Sequence, residues 1–398
     1  MKGVFDMDRT ISPRKLQGDI TVIPSKSQAH RLLICAAFAD GETTLICPAV
    51  NRDIEATVDC LNALGANIVR TPSGYTVQPV SKIPENATLN CCESGSTLRF
   101  MLPIVGALGV DAIFQMAGRL PQRPLSPLWE EMERMGCTLT RPTADTLRCT
   151  GQLRPGDYAI DGGVSSQFIT GLLFATALMD APSRIQILGK LESAPYVTMT
   201  QNAMKQFGVD STSFQISGSQ SFHTPGYVQV EGDWSNGAFL LAANTLGSDL
   251  NIQGLHPDSP QGDRASAELL NRLEQNITID ARDIPDLVPI LSIVAGAKQG
   301  AIFTNIQRLR IKESDRVAST IAMLEALGGK AEATEDTLTV YGTGYRGGVV
   351  DAVNDHRIAM SAAIAATVCT EPVTILGAEA VKKSYPTFWD EYQRLQTQ

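Results

Sequence analysis

The feature that most constrains this chain is a repeat. Six stretches run from a small polar cluster into a segment that is apolar almost all round: SKSQAHRLLICAAFA, SGSTLRFMLPIVGAL, SSQFITGLLFATALM, WSNGAFLLAANTL, IPDLVPILSIVAGA and DHRIAMSAAIAATV. Helices of that composition have no polar face to leave in water, so they are expected in the interior. Their starts, near residues 25, 94, 165, 235, 286 and 356, recur about every 70 residues with one shorter interval of about 50, which is the mark of internal duplication.

A second element alternates with the first. DIEATVDCLNALGANIVR, PLWEEMERMGCTLTR, YVTMTQNAMKQFGVDST and RVASTIAMLEALGGKAEAT all end alike. Ile54, Val58, Leu61 and Leu64 share one helical face, and Val317, Ile321, Leu324 and Leu327 repeat the spacing, so these are amphipathic helices. Gly65, Gly136, Gly208 and Gly328 stand where a left-handed cap is wanted, and a strand-like run follows each. Two features recurring in one order predict about six α/β units. A chain of 398 residues exceeds one ordinary core, so the units are expected to split three and three between two domains.

Charge and composition exclude several functions. At 43% apolar and 19% charged residues the chain can bury cores, and a net charge of -9 argues against general nucleic-acid binding, which depends on Lys and Arg displacing counterions. The N-terminal MKGVFDMDRTISPRK lacks a signal-peptide core and no apolar run reaches membrane-spanning length, so a cytoplasmic protein without membrane association is expected. The eight cysteines, Cys35, Cys47, Cys60, Cys91, Cys92, Cys137, Cys149 and Cys369, lack C-x-x-C spacing. They read as small hydrophobes in a reducing compartment, not as disulfides or zinc ligands. No two histidines lie within helical reach of each other, so no metal site is expected.

Chemistry is expected at the polar clusters. Ser, Gly and Thr at the starts of buried helices leave backbone N–H groups and the positive end of the helix dipole facing outward, which suits phosphate and carboxylate groups. The G-x-G-x-x-G match at Gly342, Gly344 and Gly347 is a decoy, because the β-rich GVVDAV follows it and no helix start is there to receive a pyrophosphate. Taken singly, the motifs have ordinary readings. Ser165-Ser166 reads as an N-cap, Lys312-Glu313 as a solvated pair, and Asp355-His356-Arg357 as a capping Asp beside a satisfied His.

Together they resemble a family. Ser25-Lys26-Ser27 with Arg31, Ser94-Gly95-Ser96-Thr97 with Arg99, Arg123-Pro124, Ser165-Ser166-Gln167, Ser193 with Tyr196, Asp286 after Ile-Pro, Lys312-Glu313-Ser314-Asp315-Arg316, Asp355-His356-Arg357, and Lys383 before Tyr385-Pro386 occur in the order and at the intervals of the enolpyruvyl transferases. Nearly the whole chain is covered, and the likeness is to the branch acting on shikimate 3-phosphate. The resemblance implies an α/β fold of two similar domains, each of three βαβαββ units around buried parallel helices. One domain would span 21–231 and the other 1–20 with 232–398, with the active site in the cleft between them and hinges near Gly18 to Ile23 and Val230 to Asp233.

The resemblance also implies site residues. Shikimate 3-phosphate would meet Lys26, Ser27, Arg31, Ser165, Ser166, Gln167, Ser193, Tyr196, Asp286 and Lys312. Phosphoenolpyruvate would meet Lys26, Gly95, Arg123, Gln167, Glu313, Arg316, His356, Arg357 and Lys383. Two anions held together need several fixed cations to offset their repulsion. Catalytic roles fall to Lys26, Asp286 and Glu313, because the reaction moves protons and needs acid and base groups; which acts in which step stays open. No cofactor or metal is implied, the partners are the two small substrates, and a monomer is expected.

Glu93, His30 and Arg308 stand where Asn is usual, and Phe100 replaces a common Pro after Arg99. Two rival functions were weighed. The sister transferase acting on UDP-N-acetylglucosamine usually carries a reactive Cys in the loop that here reads QMAGRLPQRP, which has none. A non-catalytic sugar-phosphate-binding protein would have no need of the Asp286 and Glu313 carboxylates.

Overall fold

The computed structural model describes residues 8–397 apart from Ser219. The chain divides into two compact units, one of residues 24–231 and the other joining residues up to 23 with those from 232 onward. The sequence expectation for 1–20 extends onto residues 1–7, which lie outside the described residues. The division falls after Ile23 and not after residue 20. Gln17–Thr21 is a strand paired in parallel with Asp249–Gln253, and Val22 N continues that ladder to Gln253 O. The expected hinge at Gly18 to Ile23 is thus largely sheet.

The unit of residues 24–231 holds α1 (Lys26–Ala37), α2 (Arg52–Ala63), α3 (Gly95–Leu108), α4 (Leu128–Arg134), α5 (Ser166–Ala177) and α6 (Ala194–Gln206). The other holds α7 (Trp234–Thr245), α8 (Ser266–Arg272), α9 (Val288–Ala297), α10 (Arg316–Ala326), α11 (His356–Ala365) and α12 (Phe388–Thr397). Odd-numbered helices are the apolar ones of the sequence repeat. All ten residues of α11 are buried, and α3, α5 and α9 are nearly as enclosed. Each large apolar side chain taken from water there contributes about 1.5–3 kcal/mol. The amphipathic α2 and α10 bury Ile54, Val58 and Leu61, and Val317 and Leu324. The glycines that follow α2, α4, α6 and α10 all have positive φ, as a left-handed cap requires. Helices α8 and α12 went unread as members of that series because no glycine cap closes either of them.

Each unit carries three sheets among the described residues. In four of the six, two parallel strands flank one buried helix: Asn86–Asn90 and Asp111–Gln115 around α3, Asp157–Asp161 and Ser183–Leu188 around α5, Ile277–Asp280 and Ala301–Thr304 around α9, and Gly348–Asp351 and Val373–Leu376 around α11. The remaining two exchange a strand. Gln17–Thr21 precedes α1 yet pairs with Asp249–Gln253, which follows α7. Tyr227–Gln229 precedes α7 yet pairs with Thr43–Ile46, which follows α1. Parallel pairing is satisfied in both places, and the chain changes unit twice as a result.

The close approach of α5 to α3 rests on one glycine. A Cβ on Gly171 of α5 would lie 2.3 Å from the Arg99 carbonyl oxygen of α3 and 2.9 Å from the Pro103 ring, so only glycine lets these helices approach. That approach sets the distance between Arg99 and Gln167. The Gly342 to Gly347 segment is followed by strand Gly348–Asp351 and no helix. Seven cysteines are buried, Cys92 is half-buried and all eight are free thiols. No helix among the described residues is long and apolar enough to cross a membrane.

Candidate active site

In the 24–231 unit the buried helices begin with serine. Ser25, Ser94 and Ser165 cap α1, α3 and α5, accepting from the backbone N–H of Gln28, Thr97 and Gln167. The first turns so capped carry Lys26 and Ser27, Gly95 and Ser96, and Ser166 and Gln167. Gly95 lies beneath two guanidinium groups, since a Cβ there would sit 2.5 Å from Arg123 Nη1 and 2.6 Å from Arg99 Nη1. Two cations at a helix start form an anion cradle that any side chain would fill. Arg99 also donates to Gln167 Oε1 at 3.1 Å and to Pro124 O at 3.0 Å, and Gln167 Nε2 donates to Ser96 Oγ at 3.0 Å. Gly95, Arg123 and Gln167 are therefore brought together, along with Arg99, to which no ligand role had been given.

Arg31 is a buried tie. Its Nε donates to Thr200 Oγ1 at 2.8 Å, Nη1 to Ser27 O at 2.7 Å, and Nη2 to Tyr196 O at 2.9 Å and Thr170 Oγ1 at 3.4 Å. Burial lowers its pKa to about 10. One N–H on Nη1 is left over from these bonds, so Arg31 chiefly fixes α1 against α5 and α6. Ser193 precedes α6 with a φ of 54°, a strained setting for a side-chain residue, in a buried position. Lys26 pairs with Asp53 at 2.9 Å, both partly exposed. The non-family-like His30 is buried and reaches Thr57 Oγ1 at 2.7 Å. Burial, helped by Lys26 and Arg31, pushes its pKa well down, so it is neutral.

The other unit assembles its residues around one arginine. Arg316, at the start of α10 and 1% exposed, donates from Nε to Asp355 Oδ2 at 2.9 Å, from Nη1 to Asp286 Oδ1 at 2.6 Å and from Nη2 to Glu313 Oε2 at 2.6 Å. Arg357, in the first turn of α11, donates to Asp286 Oδ2 at 3.1 Å and to Ser235 O at 3.1 Å. Asp286 was read as part of a helix start, but α9 opens at Val288 without a side-chain cap, and the carboxylate turns to the two arginines instead. Burial opposes its ionisation, yet Arg357, Arg316 and Lys312 outweigh that and hold it far below the usual carboxylate range. Burial lowers the pKa of Lys312 to about 8, with Arg308 and Arg316 adding to the effect.

Asp355 does cap α11, by accepting from Arg357 N at 2.9 Å, while its other oxygen takes Arg316 and Ser314. Its neighbour His356 is buried, with Nδ1 4.0 Å from Asp355 Oδ1. Lys383 donates to Asn354 O at 2.8 Å, one residue before Asp355. Sequence reasoning missed Asp263, which is buried, and placed Ser235 at a polar helix start without its tie to Arg357. In QGDRASAELL, Asp263 looks like any polar residue leading into a helix, and nothing local marks it.

Repeated α/β units whose helix starts gather arginines, lysines and poised carboxylates define a class of enzymes that hold and move anionic groups. Comparison with known proteins narrows the class. A family model described as EPSP synthase (3-phosphoshikimate 1-carboxyvinyltransferase) matches residues 11–392, and the chain belongs to that family. Relatives named 3-phosphoshikimate 1-carboxyvinyltransferase from Clostridium kluyveri and Clostridium acetobutylicum are each 37% identical over 97% of this chain and 96% of their own length. Among solved structures, an EPSP synthase from Acinetobacter baumannii has a TM-score of 0.80 at 23% identity, covering 98% of both chains. The enolpyruvyl transferase NikO from Streptomyces tendae has 0.76 at 16% identity, covering 98% of this chain and 96% of its own. These two likenesses bear on the fold.

Proposed function

We propose that this chain transfers the enolpyruvyl group of phosphoenolpyruvate to the 5-hydroxyl of shikimate 3-phosphate and releases phosphate. Beyond family membership, the observation that carries this reading is the grip of Arg316 on Asp286 and Glu313. A guanidinium that binds the anion and also holds two carboxylates would put proton-transfer groups beside the reacting substrate, which simple binding would not require.

The 5-hydroxyl oxygen attacks carbon 2 of phosphoenolpyruvate and loses its proton while carbon 3 gains one, giving a tetrahedral intermediate. Loss of a proton from carbon 3 and cleavage of the carbon–oxygen bond to phosphate then regenerate the double bond. Asp286 and Glu313 are assigned the acid and base work, with Lys26 as a further acid or charge stabiliser. Arg123 with Gly95, Gln167, Arg316, His356, Arg357 and Lys383 are assigned to phosphoenolpyruvate. Ser165, Ser166, Gln167, Ser193 and Tyr196 are assigned to the 3-phosphate side of shikimate 3-phosphate, and Lys26, Ser27, Arg31, Asp286 and Lys312 to its ring groups.

That one substrate calls on residues of both units, and draws them together on binding, is part of the proposal. Purified protein incubated with both substrates and a chelator should release phosphate stoichiometrically with product. No release, or release only after a divalent metal is restored, would overturn the reading.

A further inference from the structure

We propose that Asp263 is a positioning residue for Arg357: through Ser235 it fixes the carbonyl that Arg357 grips, and it supplies the counter-charge that decides how strongly Arg357 takes an incoming anion. This rests on the transfer reading above, in which Arg357 meets phosphoenolpyruvate. Asp263 lies in the turn Gly262–Ala265 and is 3% exposed. Its Oδ2 accepts the hydroxyl of Ser235, which stands in the first turn of α7. The same serine offers its backbone oxygen to Arg357 Nη1 at 3.1 Å. The residue thus holds one end of a short relay whose other end is the guanidinium.

The charges around it make the counter-charge consequential. Asp263 is faced by Asp286 in the loop before α9, by Arg357 of α11, and by Asp233 and Ser235 at the start of α7. Arg264 on its own turn and Glu268 of α8 are exposed. Across the cluster, Arg316, Arg357, Lys312 and Arg308 meet Asp286, Glu313, Asp355 and Asp263, so four cations face four carboxylates before Asp233 is added. An arriving dianion would enter a region whose cations are already matched by carboxylates. Neutralising one carboxylate relieves that conflict, and Asp263 is the suited one, because burial first and Asp286 second push its pKa up to about 7.

The sign follows from linkage. An anion bound beside Asp263 favours its protonated form, so binding takes up a proton, and affinity falls as pH rises through about 7 in a manner that depends on this carboxyl. Asp263→Asn keeps the shape and fixes the neutral state. Ser235→Ala keeps the carbonyl for Arg357 but removes a hydrogen bond that stabilises the ionised carboxylate.

The test is the KM for phosphoenolpyruvate between pH 6 and 8.5 at saturating shikimate 3-phosphate, read as the ratio of wild type to variant. The ratio cancels the titration of the substrate's own phosphate. For Asp263→Asn the ratio should climb from near one at pH 6 to roughly tenfold at pH 8.5, with the change in KM and not in kcat. For Ser235→Ala the midpoint of the wild-type rise should move to higher pH. A ratio that stays flat across the range overturns the proposal, whatever its absolute size, since a merely structural role would shift KM equally at every pH. If Asp263→Asn does not fold, a Ser235→Ala profile with an unmoved midpoint overturns it equally. Wild-type protein without turnover would instead sink the transfer reading and take this proposal with it, whereas wild-type turnover with a flat ratio sinks this proposal alone.

Discussion

The two units build their proposed anion-binding residues by opposite means. In residues 24–231 the buried helices are capped by hydroxyls, those of Ser25, Ser94 and Ser165. The buried Arg31 is satisfied there by two backbone carbonyls and two threonine hydroxyls. In the other unit α7, α10 and α11 are capped by Asp233, Asp315 and Asp355, and Arg316 is held by three carboxylates. Neutral partners leave a guanidinium's charge in place, so the first arrangement can receive a phosphate without rearranging. Charged partners offset it, so an anion reaching Arg316 competes with the carboxylates for its charge. The difference suits the proposed roles, in which the hydroxyl set only binds while the carboxylate set also moves protons, because a carboxylate loosened from Arg316 becomes available as a base.

The largest expected effect tests the carboxylate side. Glu313→Gln keeps the size and one acceptor of the side chain but removes the proton-accepting oxygen paired with Arg316 Nη2. Its kcat should fall by about 100-fold to 10,000-fold while KM for both substrates stays within a few fold. A variant with near-normal kcat in steady-state assay would break that assignment of roles, since Glu313 would then be only a counter-ion.

A smaller effect tests the hydroxyl side. Ser166, in the first turn of α5, is assigned to the 3-phosphate, which is remote from the reacting carbon and changes little along the reaction. Ser166→Ala should raise the KM for shikimate 3-phosphate by the equivalent of about 1.5–3 kcal/mol, the worth of one charge-assisted hydrogen bond, and leave kcat nearly intact. Loss of turnover at saturating substrate would show that the serine set also takes part in the chemistry.

How much of this could be read in the sequence differs between the same two regions. The hydroxyl clusters advertise themselves, because Ser-Gly-Ser or Ser-Ser-Gln opening an apolar helix is a local pattern, and the six buried helices follow from composition alone. The carboxylate cluster is mostly non-local. Asp286, Arg316, Asp355 and Arg357 come from three segments spread over some 70 positions, and only the family resemblance grouped them. Asp263 carries no local mark, and Ser235, although it opens the WSNGAFLLAANTL cluster, gives no sign of its tie to Asp263. The exchanged strands Gln17–Thr21 and Tyr227–Gln229 are equally silent, since each reads as an ordinary strand before its helix and the partner is chosen by the tertiary fold.

The smallest expected effect separates packing from charge in the 24–231 unit. Gly171 lets α5 approach α3 so closely that a Cβ would meet the Arg99 carbonyl at 2.3 Å. A backbone atom cannot move aside as a flexible side chain can, so Gly171→Ala must push the helices apart. Overpacking of this kind typically costs about 1–3 kcal/mol, which outweighs the gain of less than about 1 kcal/mol from replacing a mid-helix glycine. The shift would also draw Arg99 away from Gln167, now 3.1 Å from it. Denaturant unfolding should therefore show a lower midpoint with unchanged slope, together with a few-fold rise in the KM for phosphoenolpyruvate and little change in kcat. Because the loss is steric, raising the salt concentration should leave the stability difference from wild type unaltered, whereas any loss in the carboxylate cluster of the other unit should respond to ionic strength to the extent that its charges reach solvent. A salt-dependent difference for Gly171→Ala would mean that this unit, too, is held by charge, and the contrast between the two would fail.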